Sequence, residues 1–310
     1  MNETILRIQQ LKKERNAVIL VHNYQLPEVQ DIADFTGDSL GLSLEASKTK
    51  ADVIVFCGVY FMAETAKILS PQKTVLIPEP SAGCPLADMI TAKQVRELRQ
   101  KYPDAKFICY VNTSAEVKAE CDYCCTSANA VEMLQNGFSD KDQIVFLPDK
   151  HLGSYAAHQT GRNVIIWEGY CPSHARILPE HIQALKSEHP LAKVMAHPEC
   201  SAAVLKLADA VLSTSGMLRY AKESSAKEFI VATEVGMVYP LKSENPGKIF
   251  YEATSLASCP NMKKTTLPKV VYALENMVHQ VTLSQDIIDR AKKSIDNMLR
   301  FRRDAQITKK

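Results

Sequence analysis

The sequence lacks an excess of either charge: 37 lysines and arginines face 35 aspartates and glutamates, a formal net charge of +2. So even a balance argues against a nucleic-acid or membrane-surface protein, because those partners are drawn by a field of one sign. No unbroken apolar run approaches the length that spans a bilayer. The opening residues, MNETILRIQQLKKERNAV, carry polar groups throughout and contain no apolar stretch of secretory-leader length. The expectation is a cytoplasmic protein with neither nucleic-acid nor membrane partners. No Gly/Ser-rich or Pro-rich stretch marks a flexible linker, so whatever units the chain contains should pack as one body. Disorder is excluded as well, since 310 residues with 46% hydrophobic and 23% charged side chains supply ample core. Length alone points to about two domains.

Cysteine, by contrast, is abundant. There are nine, at positions 57, 84, 109, 121, 124, 125, 171, 200 and 259. An odd number in a chain of this size does not fit a secreted disulfide framework. In a reducing compartment they are buried small hydrophobes, metal ligands or reactive thiols. Cys57 and Cys109 fall inside the apolar runs VIVFC and KFICY and are read as core. Cys121-x-x-Cys124-Cys125 is the one short-spaced cluster; with no second CxxC to partner it, it is read as incidental, on or beside a helix expected over 115–123.

Self-comparison orders the rest. Cys84, Cys171 and Cys259 are each followed by proline, at separations of 87 and 88 residues. A second set keeps the same period: His22-Asn23-Tyr24, Tyr110-Val111-Asn112 and His197-Pro198-Glu199, each at the end of a short apolar run. Twelve residues after each triplet begins stands an aspartate (Asp34, Asp122, Asp209), and five further on a hydroxyl (Ser39, Ser127, Thr214). From aspartate to Cys-Pro the distances are 50, 49 and 50. Such agreement marks a triplication.

Between these landmarks, β-branched runs such as 52–56, 74–77, 143–147, 163–167 and 228–231 alternate with helical stretches such as 91–101, 179–188 and 268–277. Apolar strands between helices indicate parallel sheets covered on both faces. The fold expected is α/β: three similar three-layer α/β/α units with short parallel sheets about a pseudo-threefold axis. Their expected bounds are 1–87, 88–175 and 176–310, the last including an amphipathic closing helix over 284–300.

Ligands of open parallel sheets bind beyond the carboxyl ends of the strands. The triplets and the Cys-Pro loops sit at such ends, so symmetry would bring three thiolates to one point. Three thiolates without a fourth suit a [4Fe–4S] cluster with one iron left open, where it can act as a Lewis acid. Zinc held by the same cysteines and water, or cysteines that only pack, are the alternatives the spacing leaves.

The residues HNYQLPEVQDIADFTGDSL (22–40), FMAETAKIL (61–69), YVNTSAEVKAE (110–120), CTSANAVE (125–132), CPSH (171–174), HPEC (197–200), STSGM (213–217), TEVGM (233–237) and CPNMKK (259–264) run through nearly the whole chain. On these the sequence resembles the quinolinate synthases. The resemblance implies three α/β domains about a pseudo-threefold axis and a [4Fe–4S] cluster held by Cys84, Cys171 and Cys259. It implies condensation of iminoaspartate with dihydroxyacetone phosphate, releasing phosphate and water, in de novo NAD synthesis. Functional coupling to an aspartate-oxidising enzyme goes with that substrate. Tyr170 stands before Cys171 where the family more often has histidine.

The substrates so implied are polyanions, and hydroxyls at helix N-termini suit them. Ser39, Ser127 and Thr214 are expected either to cap helices, to bind substrate, or both. His22 and His197 are expected to hold anionic groups or move protons. Tyr24 and Tyr110 are candidate acid–base groups, Glu199 a general base, and Asn112 a residue approaching the open iron. His174 is expected to support Cys171 or touch substrate, and the three aspartates to close turns. Two other readings are a different Fe–S hydro-lyase acting on a hydroxy acid, and a non-enzymatic Fe–S or redox sensor.

Overall fold

The apolar runs form short strands because their β-branched side chains can be covered from both sides, and helices from the same repeats supply the cover. The computed structural model describes residues 3–301 and 308–309. The strands fall into three sheets. The first contains β1 (Ala17–His22), β2 (Phe35–Gly37), β3 (Val53–Cys57) and β4 (Thr74–Leu76). The second contains β5 (Lys106–Tyr110), β6 (Tyr123–Cys125), β7 (Ile144–Leu147) and β8 (Val164–Ile166). The third contains β9 (Lys193–Ala196), β10 (Ala210–Val211), β11 (Glu228–Ala232) and β12 (Ile249–Glu252).

Within each sheet the four strands are parallel and keep one order: β2-β1-β3-β4, β6-β5-β7-β8 and β10-β9-β11-β12. That order places a topological switch point between the first and third strands of each repeat. A two-residue strand, Thr308–Lys309, adds antiparallel to β2. The architecture is the expected α/β one of three similar units. Among the described residues, no helix is long and apolar enough to cross a membrane.

Three strands escaped the sequence reading, one per unit: β2, β6 and β10. They are only two or three residues long, and each follows its repeat's aspartate directly. The aspartates are structural, but they grip strands where turn closure was expected. The carboxylates of Asp34, Asp122 and Asp209 accept the backbone N–H of Ile19, Phe107 and Val194, each at 2.8 Å. Their own N–H groups donate to the carbonyls of those same residues at 3.0, 3.0 and 2.9 Å. Lys12, Arg99 and Lys193 pair with them at 2.6, 2.9 and 2.7 Å. The two-way grip sets the register of the outer strand on the central one, whose carboxyl end carries the polar triplet. The helix expected over 115–123 stops at Ala119, and Cys124 and Cys125 lie on β6, fully buried.

One apolar cluster takes residues from all three sheets, including Leu20, Phe56, Phe107, Phe146, Phe229 and Phe250. Separate clusters cover the outer faces of the first and third sheets. In each unit a helix starts eight residues past the Cys-Pro cysteine: Ala92 after Cys84, Pro179 after Cys171, Leu267 after Cys259. The third of these, Leu267–Asn276, lies on the first sheet. Its Leu267, Val270 and Leu274 pack with Ile8 and Leu11 of the helix Glu3–Glu14. The chain then pairs with β4, where Val281 N–H donates to Val75 O at 2.8 Å and Ile77 N–H to His279 O at 3.1 Å.

The closing helix, Gln285–Met298, carries Ile288, Ala291, Ile295 and Met298 on one face and packs on the second unit. There the Ser294 hydroxyl donates to Lys118 O at 3.0 Å and Asn297 Nδ2 to Asp122 O at 2.9 Å. Division of the chain at 87/88 and 175/176 remains our proposal, drawn along the sequence; in space the residues after Cys259 return to the first and second units.

Replacing Asp122 by alanine leaves Phe107 N–H without its acceptor and Arg99 without its pair. Stability should fall by ~1–3 kcal/mol, read as a lower urea midpoint at unchanged slope.

Candidate active site

The carboxyl ends of β1, β5 and β9 face one pocket, whose empty volume is ≈ 690 Å³ with its opening to solvent included. His22 and Tyr110 are the last residues of β1 and β5, and His197 follows β9 directly; Tyr24, Asn112 and Glu199 stand two residues on. All six line the pocket, together with Ser39, Ser127 and Thr214, His174, and Cys84, Cys171 and Cys259. Every candidate site residue from the sequence therefore lies around a single cavity. Among the described residues, the lining contains no lysine or arginine.

Two of the hydroxyls, Ser39 and Thr214, are placed by helix starts one residue past the cap, while Ser127 lies in the turn before the helix Ala130–Asn136, two residues ahead of its cap Asn129. Asp38 caps the helix Ser39–Lys48, accepting Gly41 N–H at 2.8 Å, and Ser213 caps Thr214–Glu223, accepting Gly216 N–H at 3.2 Å. Ser39 and Thr214 are thus the first helical residues, and their hydroxyls are not spent on capping. Thr214 Oγ1 accepts from Asn23 Nδ2 at 3.0 Å, a bond between the third and first units. Ser127 Oγ lies 3.1 Å from His197 Nε2.

The two strand-end histidines share one arrangement. His22 Nδ1 accepts the N–H of Tyr24 at 3.2 Å, and His197 Nδ1 that of Glu199 at 3.4 Å. With Nδ1 an acceptor, the proton of the neutral ring sits on Nε2. Burial, reinforced by the facing His197, lowers the His22 pKa to about 3; burial likewise lowers His197 to about 3, against the pull of Glu199. Burial thus favours the neutral form of both rings, with Nε2–H as the donor.

Glu199 is 3% exposed. Burial works against its charge, but His174 facing it, with hydrogen bonds from His174 and Tyr110, holds the carboxyl well below its ordinary range. His174 Nδ1 lies 2.7 Å from Glu199 Oε2 and 3.2 Å from Cys171 Sγ, and its Nε2 lies 2.8 Å from Thr233 Oγ1. Both ring nitrogens are therefore engaged within the protein. Tyr24 OH meets the other side of Thr233 Oγ1 at 2.6 Å. Burial first, then the negative charge of Glu199, raises the phenols of Tyr24 and Tyr110 well above their ordinary pKa. Asn112 Nδ2 reaches toward Glu199 Oε1 at 3.5 Å, while its buried Oδ1 has no protein hydrogen-bond partner.

Each Cys-Pro cysteine opens into a single 3₁₀ turn: Ala87–Met89, His174–Arg176 and Met262–Lys264. Backbone N–H groups of that turn point back at the sulfur, from Ala87 and Leu86 to Cys84, His174 to Cys171, and Met262 and Asn261 to Cys259. Burial is the main cause pushing all three thiols up, Cys84 to about 12, and Cys84 also feels Cys259, as Cys171 feels Cys84. Three sulfurs lining one pocket, each beside backbone N–H groups, make a donor set for a polynuclear iron–sulfur group, whose thiolates are stabilised by metal charge and N–H bonds. Cys171, His174 and Glu199 also offer ligand atoms within 4.8 Å of one another. Their hydrogen bonds already satisfy that trio, so it is read as a support for Cys171.

A family profile described as "Quinolinate synthetase A protein" matches residues 6–300. The chain belongs to the quinolinate synthase family. A quinolinate synthase of Dehalococcoides mccartyi strain CBDB1 is 54% identical over 294 residues, 95% of this chain and 97% of the relative. "Quinolinate synthase 1" of Methanosarcina acetivorans is 52% identical over 297 residues, 96% and 97% of the two chains. A quinolinate synthase of Aquifex aeolicus is 53% identical over 298 residues, 94% and 92%. The family is one of [4Fe–4S] enzymes in NAD biosynthesis, so the resemblance, the fold class and the cofactor expected from the sequence all hold.

Besides Thr233 and Asp38, four further residues around this quinolinate synthase site were not singled out from the sequence. Glu234 Oε1 accepts Cys259 N–H at 2.9 Å and Oε2 accepts Gly236 N–H at 2.7 Å. Lys263 pairs with Glu234 at 3.0 Å and bonds the carbonyl of Tyr24. Gly236 admits no side chain, since a Cβ there would lie 2.7 Å from Tyr24 O and 2.8 Å from Lys263 Nζ. Asp149 accepts Leu152 N–H at 2.8 Å and holds the N–H of Cys171, as Glu234 does that of Cys259. Both acids stand two residues past the third strand of their sheet, a shared register that was readable; the first unit has Val59 there.

Because their folded pKa lies below the unfolded one, His22 and His197 contribute stability that is complete above an unfolded pKa of ~6.5 and is lost as pH falls below it, each steepening the decline by at most ~1.4 kcal/mol per pH unit. Nitrogen NMR of labelled histidine, assigned with His22→Asn and His197→Asn proteins, should show both rings as neutral Nε2–H tautomers even at about pH 5, where an ordinary histidine is mostly charged.

Proposed function

We propose that this chain condenses iminoaspartate with dihydroxyacetone phosphate to quinolinate, releasing phosphate and water, as a step of de novo NAD synthesis. The observation that carries the reading is the convergence of three Cys-Pro loops and three strand-end triplets on one cavity, in a member of the quinolinate synthase family. Cys84, Cys171 and Cys259 are the proposed ligands of the [4Fe–4S] cluster. When bound, the cluster supplies a Lewis-acid iron that polarises substrate oxygen.

The chain's own side chains then have separable tasks. A dicarboxylate imine and a phosphate ester must be held with no lysine or arginine among the described lining residues. His22 Nε2–H, His197 Nε2–H, the hydroxyls of Ser39, Ser127 and Thr214, and the first turns of two helices supply neutral donors in a cavity screened from water, where such bonds are strong. Asn112 offers an unpartnered oxygen to a substrate donor or to the metal side of the pocket. The phenols of Tyr24 and Tyr110 keep their protons in the pocket, so they act first as acids toward developing alkoxide or enolate oxygens. Glu199 is held in its charged form, the form a general base needs. His174, its nitrogens occupied, supports Glu199 and Cys171 and offers substrate only its ring.

The compartment proposed is the cytoplasm. An α-imino acid is open to hydrolysis by water, so an aspartate-oxidising enzyme working nearby is the proposed source of iminoaspartate.

Anaerobically purified holoprotein should form quinolinate from the two substrates, and its failure to do so with a full cluster would refute this function. Alanine at Cys84, Cys171 or Cys259 should remove both the cluster absorption and turnover, whereas Cys57→Ala and Cys124→Ala should leave both near wild type under reducing conditions. A normal [4Fe–4S] signal in Cys171→Ala protein would overturn the ligand assignment.

Tyr24→Phe should keep the cluster and the fold yet lower turnover by roughly two to four orders of magnitude, the usual worth of a positioned acid or base. Near-normal turnover by that variant would remove Tyr24 from the chemistry.

A further inference from the structure

Eight residues past the start of each triplet, in the short helix that follows it, stand Gln30, Lys118 and Leu205. In two of the three units that residue turns back and holds the loop before it. Gln30 Nε2 donates to the carbonyls of Asn23 and Gln25, at 3.1 and 3.0 Å. Lys118 Nζ donates to the carbonyl of Val111 at 2.8 Å and to that of Thr113. Each pair of carbonyls belongs to the residues on either side of a pocket-lining third place, Tyr24 in the first unit and Asn112 in the second. Leu205 has no donor to offer. In its unit Pro198 fixes φ within the turn, and Glu199 is held through its own carboxylate by His174 at 2.7 Å. Lys118 is 0% exposed, so protein groups must satisfy its ammonium. Opposite charge comes from the first unit, where the Glu64 carboxylate feels Lys118 and accepts Ala115 N–H at 3.0 Å. Phe61, on the same helix as Glu64, sets its ring 5.3 Å from the ammonium.

We infer that Lys118 is a positioning residue for quinolinate formation: by clasping the carbonyls of Val111 and Thr113 it sets the direction in which Asn112 enters the cavity. The inference rests on the function proposed above. Asn112 does not set that direction itself. Its buried Oδ1 has no protein hydrogen-bond partner, and its Nδ2 only reaches toward Glu199 Oε1 at 3.5 Å. The amide therefore points where its backbone sends it. That backbone is a tight turn, in which Thr113 N–H donates to Val111 O at 2.8 Å. The Val111 carbonyl is shared by the turn and the ammonium, and a charged donor holds it more firmly than a neutral one would. The pocket lining includes Asn112 but not Lys118, so Lys118 acts through its neighbour. Without the ammonium, two carbonyls lose a shared donor and the peptide planes beside Asn112 are free to rock. The amide then meets the reacting group in only part of its orientations, a loss that falls on turnover more than on binding.

The test uses anaerobic holoenzyme and steady-state quinolinate formation, and the other two repeats supply its variants. Lys118→Met keeps most of the side chain's length and apolar body without a donor, as Leu205 has none. Lys118→Gln installs the group that clasps the same two carbonyls from position 30. Lys118→Met should lower kcat about 10- to 100-fold while KM for dihydroxyacetone phosphate stays within about threefold, at unchanged cluster absorption. Lys118→Gln should return kcat to within about fivefold of wild type. In an Asn112→Ala background, Lys118→Met should change kcat by less than about twofold, because no amide remains to be directed. The inference is overturned if Lys118→Met turns over within about twofold of wild type, or if Lys118→Gln is no faster than Lys118→Met. It is overturned as well if Lys118→Met costs the same factor with and without the Asn112 amide. If the Glu64 charge left behind keeps Lys118→Met from holding its cluster, the Lys118→Met/Glu64→Gln protein replaces it under the same limits. Wild-type holoenzyme that forms no quinolinate removes the function itself, an outcome distinct from active wild type with an indifferent Lys118 variant.

Discussion

The molecule depends on a shared inner core. A single apolar cluster takes side chains from all three four-stranded parallel sheets and from helices that cover them. A parallel sheet needs cover on both faces, and helices of its own repeat lie on the inner-cluster face of each sheet, as Ser39–Lys48 and Tyr60–Leu69 do on the first. The apolar sides of these helices continue into the one cluster that the three units share. The same docking fixes the direction of the three central strands, whose carboxyl ends meet over one cavity. Cofactor loops, histidines and hydroxyls converge there because the sheets do, and the aspartate grip at the start of each outer strand holds the register on which that convergence relies.

Among the described residues the cavity's lining carries no lysine or arginine. Burial favours the neutral rings of His22 and His197 and the protonated phenols of Tyr24 and Tyr110 and resists ionising the three cysteines, while the partners of Glu199 favour its charged form. A pocket lined by neutral donors releases an anionic product more readily than a ring of lysines would, since bringing together and separating full charges at low dielectric carries large energies. The buried pair Glu234–Lys263 lies to one side, spent on holding the Cys259 loop against the carbonyl of Tyr24.

Much of this was legible in the sequence because triplication prints every functional position three times. Cys84, Cys171 and Cys259 declared themselves by period, and so did the triplets begun by His22, Tyr110 and His197. What the sequence hid is what the period does not repeat or what is too short to have a pattern. Strands β2, β6 and β10 hold two or three residues each, less than one alternation of a half-buried strand. The caps Asp38 and Ser213 precede the periodic hydroxyls by one residue, and cap positions are set by backbone angles that residue type alone does not fix. Thr233 has no counterpart at Gly58 or Pro148, so comparing repeats passes over it. The neutrality of the histidines is a property of depth, which no local pattern encodes.

The helix Leu267–Asn276 begins where a fourth repeat would begin, and under threefold symmetry a fourth repeat coincides with the first. It settles there, beside the helix Glu3–Glu14. A ring of three bodies strung on one chain has only two covalent joints, and its third side would be free to gape like a jaw. By overshooting, the backbone crosses that third side as well and stitches itself to β4 beyond it. Every boundary between units is thus spanned by peptide chain, and parting the third side would first have to lift the helix Leu267–Asn276 from the helix Glu3–Glu14 or break the pairing at β4.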